Sequence, residues 1–176
     1  MATSCRKTSG HQFRFSEKSD PGRMSDEFPS EGRLAGIDYG TVRVGIAISD
    51  PGRRLASPLD NYNRQSSDAD SAFFQRLVAE EDIRGFVVGL PLHMSGDESQ
   101  KSIEARAFGK WLHEATGLPI RFHDERFSSA GADAFLAAGG LTAKKRKNRR
   151  DMLAAQIILS SFLESGGDAS ASSLSD

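Results

Sequence analysis

A single cysteine, Cys5, is all that the 176-residue chain contains. Neither a disulfide framework nor a thiolate metal centre can be built from it, and so little thiol fits a reducing compartment. Long apolar runs are missing too, so no membrane span or secretory signal core is expected, and the chain reads as a cytoplasmic protein. An excess of charge of one sign is also lacking, because 23 Lys and Arg stand against 24 Asp and Glu for a formal net charge of −1. Any affinity for a polyanion must therefore come from where the cations are placed. Residues 1–32 contain no Leu, Ile or Val, while Ser, Gly and Pro recur among ionic groups of mixed sign. This stretch is expected to be a disordered tail, with Phe13, Phe15 and Phe28 as isolated aromatics. Residues 165–176, SGGDASASSLSD, read in the same way. What remains, 33–164, can hold one ordinary domain with a real core.

The stretch around which that domain is organised is 34–50, LAGIDYGTVRVGIAISD. Apolar runs at 34–38 and 42–48 flank Tyr39-Gly40-Thr41, the pattern of a β-hairpin with glycine at its turn. Asp38 is the odd residue, since a carboxylate ending an apolar strand loses hydration unless a cation meets it. A simpler role, bonding to its own backbone in a turn, is also open to it. Gly36, Gly40 and Gly45 leave room for something bulky to approach the backbone, as phosphate-handling loops do.

Further along, 54–61 can form a third strand, which Pro58 assigns to a sheet edge. Residues 68–81 carry Phe73, Phe74, Leu77 and Val78 at helical spacing. The run IRGFVVG at 83–89 is a strand of the kind buried on both faces. A second helix is expected over 97–116, with Ile103, Ala107 and Trp111 on its inner stripe and Gly117 as its stop. A short strand over 118–123 delivers Asp124 and Glu125. Another helix begins at Ser128 or Ser129 and stops at Gly139-Gly140, and the last runs from Asn148 to about Glu164. A meander followed by crossovers makes an α/β fold, a five-stranded mixed sheet in the order 3-2-1-4-5 with helices on both faces. Its first, fourth and fifth strands are parallel, and their carboxyl ends share the edge where such sheets bind ligands.

Three carboxylates map to that edge: Asp38, Glu125 or its neighbour Asp124, and Asp151. Asp151 shares a helical stripe with Ala155, Ile158 and Phe162, so it is aimed at the sheet. Each has a structural alternative. Asp151 three residues after Asn148 resembles a capping box, and Asp124 or Glu125 can pair with Arg126. Spacing does not decide between Asp124 and Glu125. Carboxylates gathered so closely need a compensating charge, and hard oxygen ligands select Mg²⁺ or Mn²⁺. Such a site can activate water and hydrolyse a phosphodiester.

Lys144, Lys145, Arg146, Lys147, Arg149 and Arg150 put six cations in seven residues just before Asp151. A run of this kind is commonly a solvated loop, yet its place beside the acids is where a nucleic-acid backbone would be held. Arg43, Arg53, Arg54 and Arg126 extend the expected patch. The loop 90–99 leaves the fourth strand at the same edge, and His93 in it is a candidate proton carrier. His113, His123 and Trp111 read as structural.

The motifs GIDYGTVRVGIAISD, VVGLPLHMSG, HDERFSS and RRDMLAAQIIL stand in the order and spacing of the YqgF/RuvX family, which the chain resembles across 33–164. That resemblance implies an RNase H-like fold and a nuclease that matures the 5′ end of the 16S ribosomal RNA precursor. It carries the family's acids onto Asp38, Glu125 and Asp151, and favours Glu125 over Asp124. Two departures are His93, where asparagine is usual, and Ser128-Ser129 in place of a Thr-rich pair. Some members are described as Holliday junction resolvases, which need a symmetric dimer; the chain itself is compatible with a monomer or a homodimer. A catalytically weak RNA-binding factor would keep the same fold. Asp38-Tyr-Gly-Thr41 also resembles the phosphate loop of actin-like ATPases, but those proteins close two such lobes over a nucleotide and this chain has length for one.

Overall fold

The computed structural model describes residues 28–91, 99–124 and 143–166, with side chains of the last stretch from 150 onward. Five strands form one sheet: β1 (Arg33–Tyr39), β2 (Arg43–Ser49), β3 (Ala56–Asn63), β4 (Ile83–Leu90) and β5 (Ile120–Asp124). Their order is β3-β2-β1-β4-β5. The meander β1 to β3 is antiparallel, whereas β1, β4 and β5 are parallel. This is the expected topology. Edge strand β3 carries Pro58 beside a register shift, where a residue without an N–H costs no ladder bond.

Helices α1 (Ser67–Glu81) and α2 (Gln100–Thr116) cover one face, and α3 (Ala143–Glu164) covers the other. Period-two alternation splits β1 between them: Ala35 and Ile37 join Phe74, Phe86 and Phe108, while Leu34 joins Ala155, Leu159 and Phe162. Burial on both faces is why the central strands read as continuous apolar runs. Ser66 caps α1 by accepting from Ala69 N at 3.3 Å. Ser99 and Ser102 form a capping box on α2 and both bond Pro91 O, tying the helix start to the end of β4. No helix among the described residues is long and apolar enough to cross a membrane.

Five expectations need correction. On α2 the buried stripe is Ser102, Ala105, Phe108, Gly109 and Leu112, while Ile103 is 51% exposed. A Cβ at Gly109 would lie 2.7 Å from Phe122, so the helix meets β5 through its glycine, and Trp111 packs at the margin of the core. The last helix begins at Ala143 rather than Asn148, so the basic run is helical and Asp151 is past the first turn. Lys and Arg are good helix formers, so nothing in 144–150 interrupts the helix. Asn148 is therefore no cap.

Glycines 36 and 45 admit α3 rather than a phosphate. A Cβ at Gly36 would stand 2.8 Å from Ala155 O, and one at Gly45 would stand 2.1 Å from Asp151 O. The fourth correction concerns Phe28, which packs edge-on to Phe162 with centroids 5.8 Å apart and beneath Arg121 at 5.1 Å. Arg53 holds the backbone just beyond it, donating to the carbonyls of Pro29, Glu31 and Gly32. Thus Arg53 serves the amino end of β1 and does not extend a cationic patch at the carboxyl edge. The helix expected from Ser128 lies outside the described residues.

Candidate active site at the carboxyl edge of the sheet

Asp38 pairs with Gly45 across β1 and β2, and Gly45 pairs with Asn61 across β2 and β3. Residues directly opposite in an antiparallel pair share a face, so Asp38, Gly45 and Asn61 form a row under α3. Because Gly45 lacks a side chain, the backbone of Asp151 rests directly on that row. The Asp151 carboxylate is then held in place. Asn61 Nδ2 donates to its Oδ2 at 3.2 Å, and Arg43 Nε stands 3.5 Å from the same oxygen. Asp38 is half-buried, and the Asp151 side chain is 24% exposed. Two acids distant in sequence thus flank one glycine, one through strand pairing and the other through helix packing.

Tyr39 takes the other face, its ring tilted against Phe108 with centroids 4.9 Å apart. Arg64 lies over both rings, donates to Tyr39 OH at 3.3 Å, and pairs with Asp70 Oδ2 at 3.2 Å. Asp70 is only 1% exposed and also accepts from Tyr62 OH and Gln65 N, each at 2.8 Å. Burial opposes its ionisation, yet the bonds from Gln65, Tyr62 and Arg64 outweigh burial and hold the carboxyl below its ordinary value. Its neighbours thus brace the carboxyl end of β1 from beneath Asp38.

At the far side of the edge, His123 pairs with Gly89 and Asp124 with Leu90. His123 faces α3: Nε2 lies 2.9 Å from Ser161 Oγ, and the ring meets Phe162 edge-on. Burial pushes its imidazole below the ordinary value, against the charge of Asp124. Ile120 and Phe122 face α2 instead, and alternation puts position 124 on their side. His113 contacts Leu118 O at 2.7 Å, a structural role. Glu125, Arg126 and His93 lie outside the described residues, as do the side chains of Lys144, Lys145, Arg146, Lys147 and Arg149. Arg150 is exposed.

Among the described residues no three His, Cys, Asp or Glu side chains gather as a metal site. Asp38 and Asp151 nonetheless offer hard oxygen donors, and the guanidinium beside Asp151 shows that a cation is accommodated there. Asn61 gives no signal in the sequence, because an asparagine in an edge strand is unremarked until its register partner is known. Arg64 and Asp70 are equally silent there, since an acid in the first turn of α1 has a sufficient local reason in the helix dipole.

A family model described as "RuvX: Holliday junction resolvase" matches residues 32–165. A protein of Rhodopirellula baltica named "Putative pre-16S rRNA nuclease" is 51% identical over 139 residues, 79% of this chain and 80% of that one. A protein of the same name from Koribacter versatilis is 38% identical over 144 residues, 82% and 94% of the two chains. Among solved structures, T. thermophilus RuvC in complex with Holliday junction substrate matches with a TM-score of 0.51 at 15% identity, covering 78% of this chain and 98% of that one. That likeness shows the fold, which is RNase H-like.

Proposed function

The chain belongs to the RuvX family, and on that premise we propose that it is a nuclease hydrolysing phosphodiester bonds of the 16S ribosomal RNA precursor at its 5′ end, in the cytoplasm. The observation that carries this reading is the placement of Asp38 and Asp151 on either side of Gly45. Its relatives' name supplies the substrate class.

Asp38, Asp151 and Glu125 are the proposed acids, the last by family resemblance. The alternation that puts His123 on the α3 face and position 124 on the other supports Glu125 over Asp124. Together these oxygens suit Mg²⁺ or Mn²⁺, which when bound supplies an activated water and neutralises charge on the leaving oxygen. Asn61 orients the Asp151 carboxylate through its amide. Tyr39 and Arg64 fix the strand end that carries Asp38. The cations at 144–150 hold the nucleic-acid backbone. Their position supports this, because six cations in the first two turns of α3 oppose the helix dipole, an arrangement that a bound polyanion offsets.

Incubation with precursor RNA spanning the 16S 5′ end, beside a four-way DNA junction, tests the reading. With Mg²⁺ or Mn²⁺ the RNA is cut, and Asp38→Asn slows cutting about a thousandfold or more, the scale of several kcal/mol of lost charge stabilisation, while the melting curve keeps its shape. Cutting of the junction alone would replace the RNA assignment with a resolvase. Undiminished cutting by a folded Asp38→Asn variant would overturn the site.

A further inference from the structure

We infer that Arg43 is the resident counter-ion of Asp151, which a divalent ion displaces and which then turns to the phosphodiester; this rests on the nuclease reading above. Arg43 opens β2 at the mouth of the hairpin, two residues before Gly45 on the same face of the strand. Its side chain is 16% exposed, and Nε lies 3.5 Å from Asp151 Oδ2. That separation makes an ion pair, longer than a good hydrogen bond.

The other group on the same oxygen behaves differently. Asn61 is neutral, bonds at 3.2 Å, and is fixed by its register opposite Gly45. It can stay when a metal binds. A guanidinium sharing a carboxylate with a divalent ion meets like charge, and its long stem lets it swing away. The hairpin mouth is on the carboxyl edge, where substrate would lie. Five donors in a planar fork match phosphate oxygens, so the displaced group has a natural acceptor there.

Metal affinity and cutting rate should consequently move in opposite directions when Arg43 is changed. Mn²⁺ titration by calorimetry without nucleic acid is the first arm. Arg43→Gln should bind Mn²⁺ about fivefold more tightly than the parent, the effect of removing one cation a few ångströms away. It should melt lower than the parent without metal and recover with Mn²⁺. At saturating Mn²⁺ it should cut precursor RNA about a hundredfold more slowly. Arg43→Lys keeps the charge but not the fork, and should show parental Mn²⁺ affinity with slowed cutting. A structural role would lower affinity and rate together. Folded Arg43→Gln with unchanged or weaker Mn²⁺ affinity overturns the inference, as does a parental rate for Arg43→Lys if the glutamine variant does not fold. A parent that binds no Mn²⁺ and cuts nothing would instead sink the nuclease reading, and the inference with it.

Discussion

The α-carbon of Gly45 faces the carbonyl of Asp151 so closely that a Cβ built there would stand 2.1 Å from the oxygen. Backbone lies on both sides of this approach, so no side-chain rotation can relieve an added methyl. Gly45→Ala should destabilise the fold by about 1–3 kcal/mol, the usual cost of overpacking, and should lift Asp151 away from Asp38. Denaturant unfolding together with a nuclease assay would check both effects. Gly52→Ala is the control, because a Cβ there meets only the side chains of Asp50 and Arg54 at 3.1 Å or more. A Gly45→Ala variant as stable as the parent would show that the helix is not seated as described.

Asp70 should make stability sensitive to acid. Its carboxyl is held below the ordinary value of 3.8 in the folded chain. The group therefore stabilises the fold fully above the unfolded value, and that contribution is lost as pH falls through the lower folded one. Asp70→Asn should cost about 2–3 kcal/mol at neutral pH through the loss of charged hydrogen bonds. The gap between parent and variant should narrow as pH drops below about 4. Unfolding free energies measured from neutral pH into acid would show it, and a constant gap would mean that Asp70 contributes no titrating stability.

The basic run should govern affinity rather than chemistry. Replacing Lys144, Lys145 and Lys147 by Gln should weaken RNA binding and flatten its salt dependence by roughly 0.7–0.9 in log–log slope for each phosphate no longer neutralised. Filter binding across a salt series measures this. An unchanged slope would leave those lysines as solvated helix surface.

Phe28 should stabilise the domain from a stretch without aliphatic neighbours. Phe28→Ala should cost about 2 kcal/mol, less than a fully buried phenylalanine because the side chain is half-buried. Arg53→Ala should release the carbonyls of residues 29, 31 and 32 and speed proteolysis near them. Parental resistance to protease in both variants would contradict a docked segment.

Much of the architecture is legible in the chain, for reasons that stay local. Alternation and apolar runs place each strand, and the acid ending the apolar run of β1 announces itself by its cost. The stripe Asp151, Ala155, Ile158 and Phe162 correctly aims α3 at the sheet. Legibility fails where a feature depends on what crosses it. The glycines at 36 and 45 carry one signal for any close approach, and only the crossing of α3 shows that a helix makes it. The inner face of α2 is hidden for a similar reason, because Gly109 adds nothing to an apolar count and yet marks the point where the helix meets Phe122.

The sequence by itself determined which segments become strands, which residues carry charge, and that Asp38 and Asp151 are chemically conspicuous. Tertiary structure alone decided that these two acids flank Gly45, that Asn61 and Arg43 converge on one carboxylate oxygen, and that Phe28 packs against the core. The division has a physical cause: periodicity and propensity act over a few neighbouring residues, whereas register and helix crossing are set by the packing of the whole domain at once.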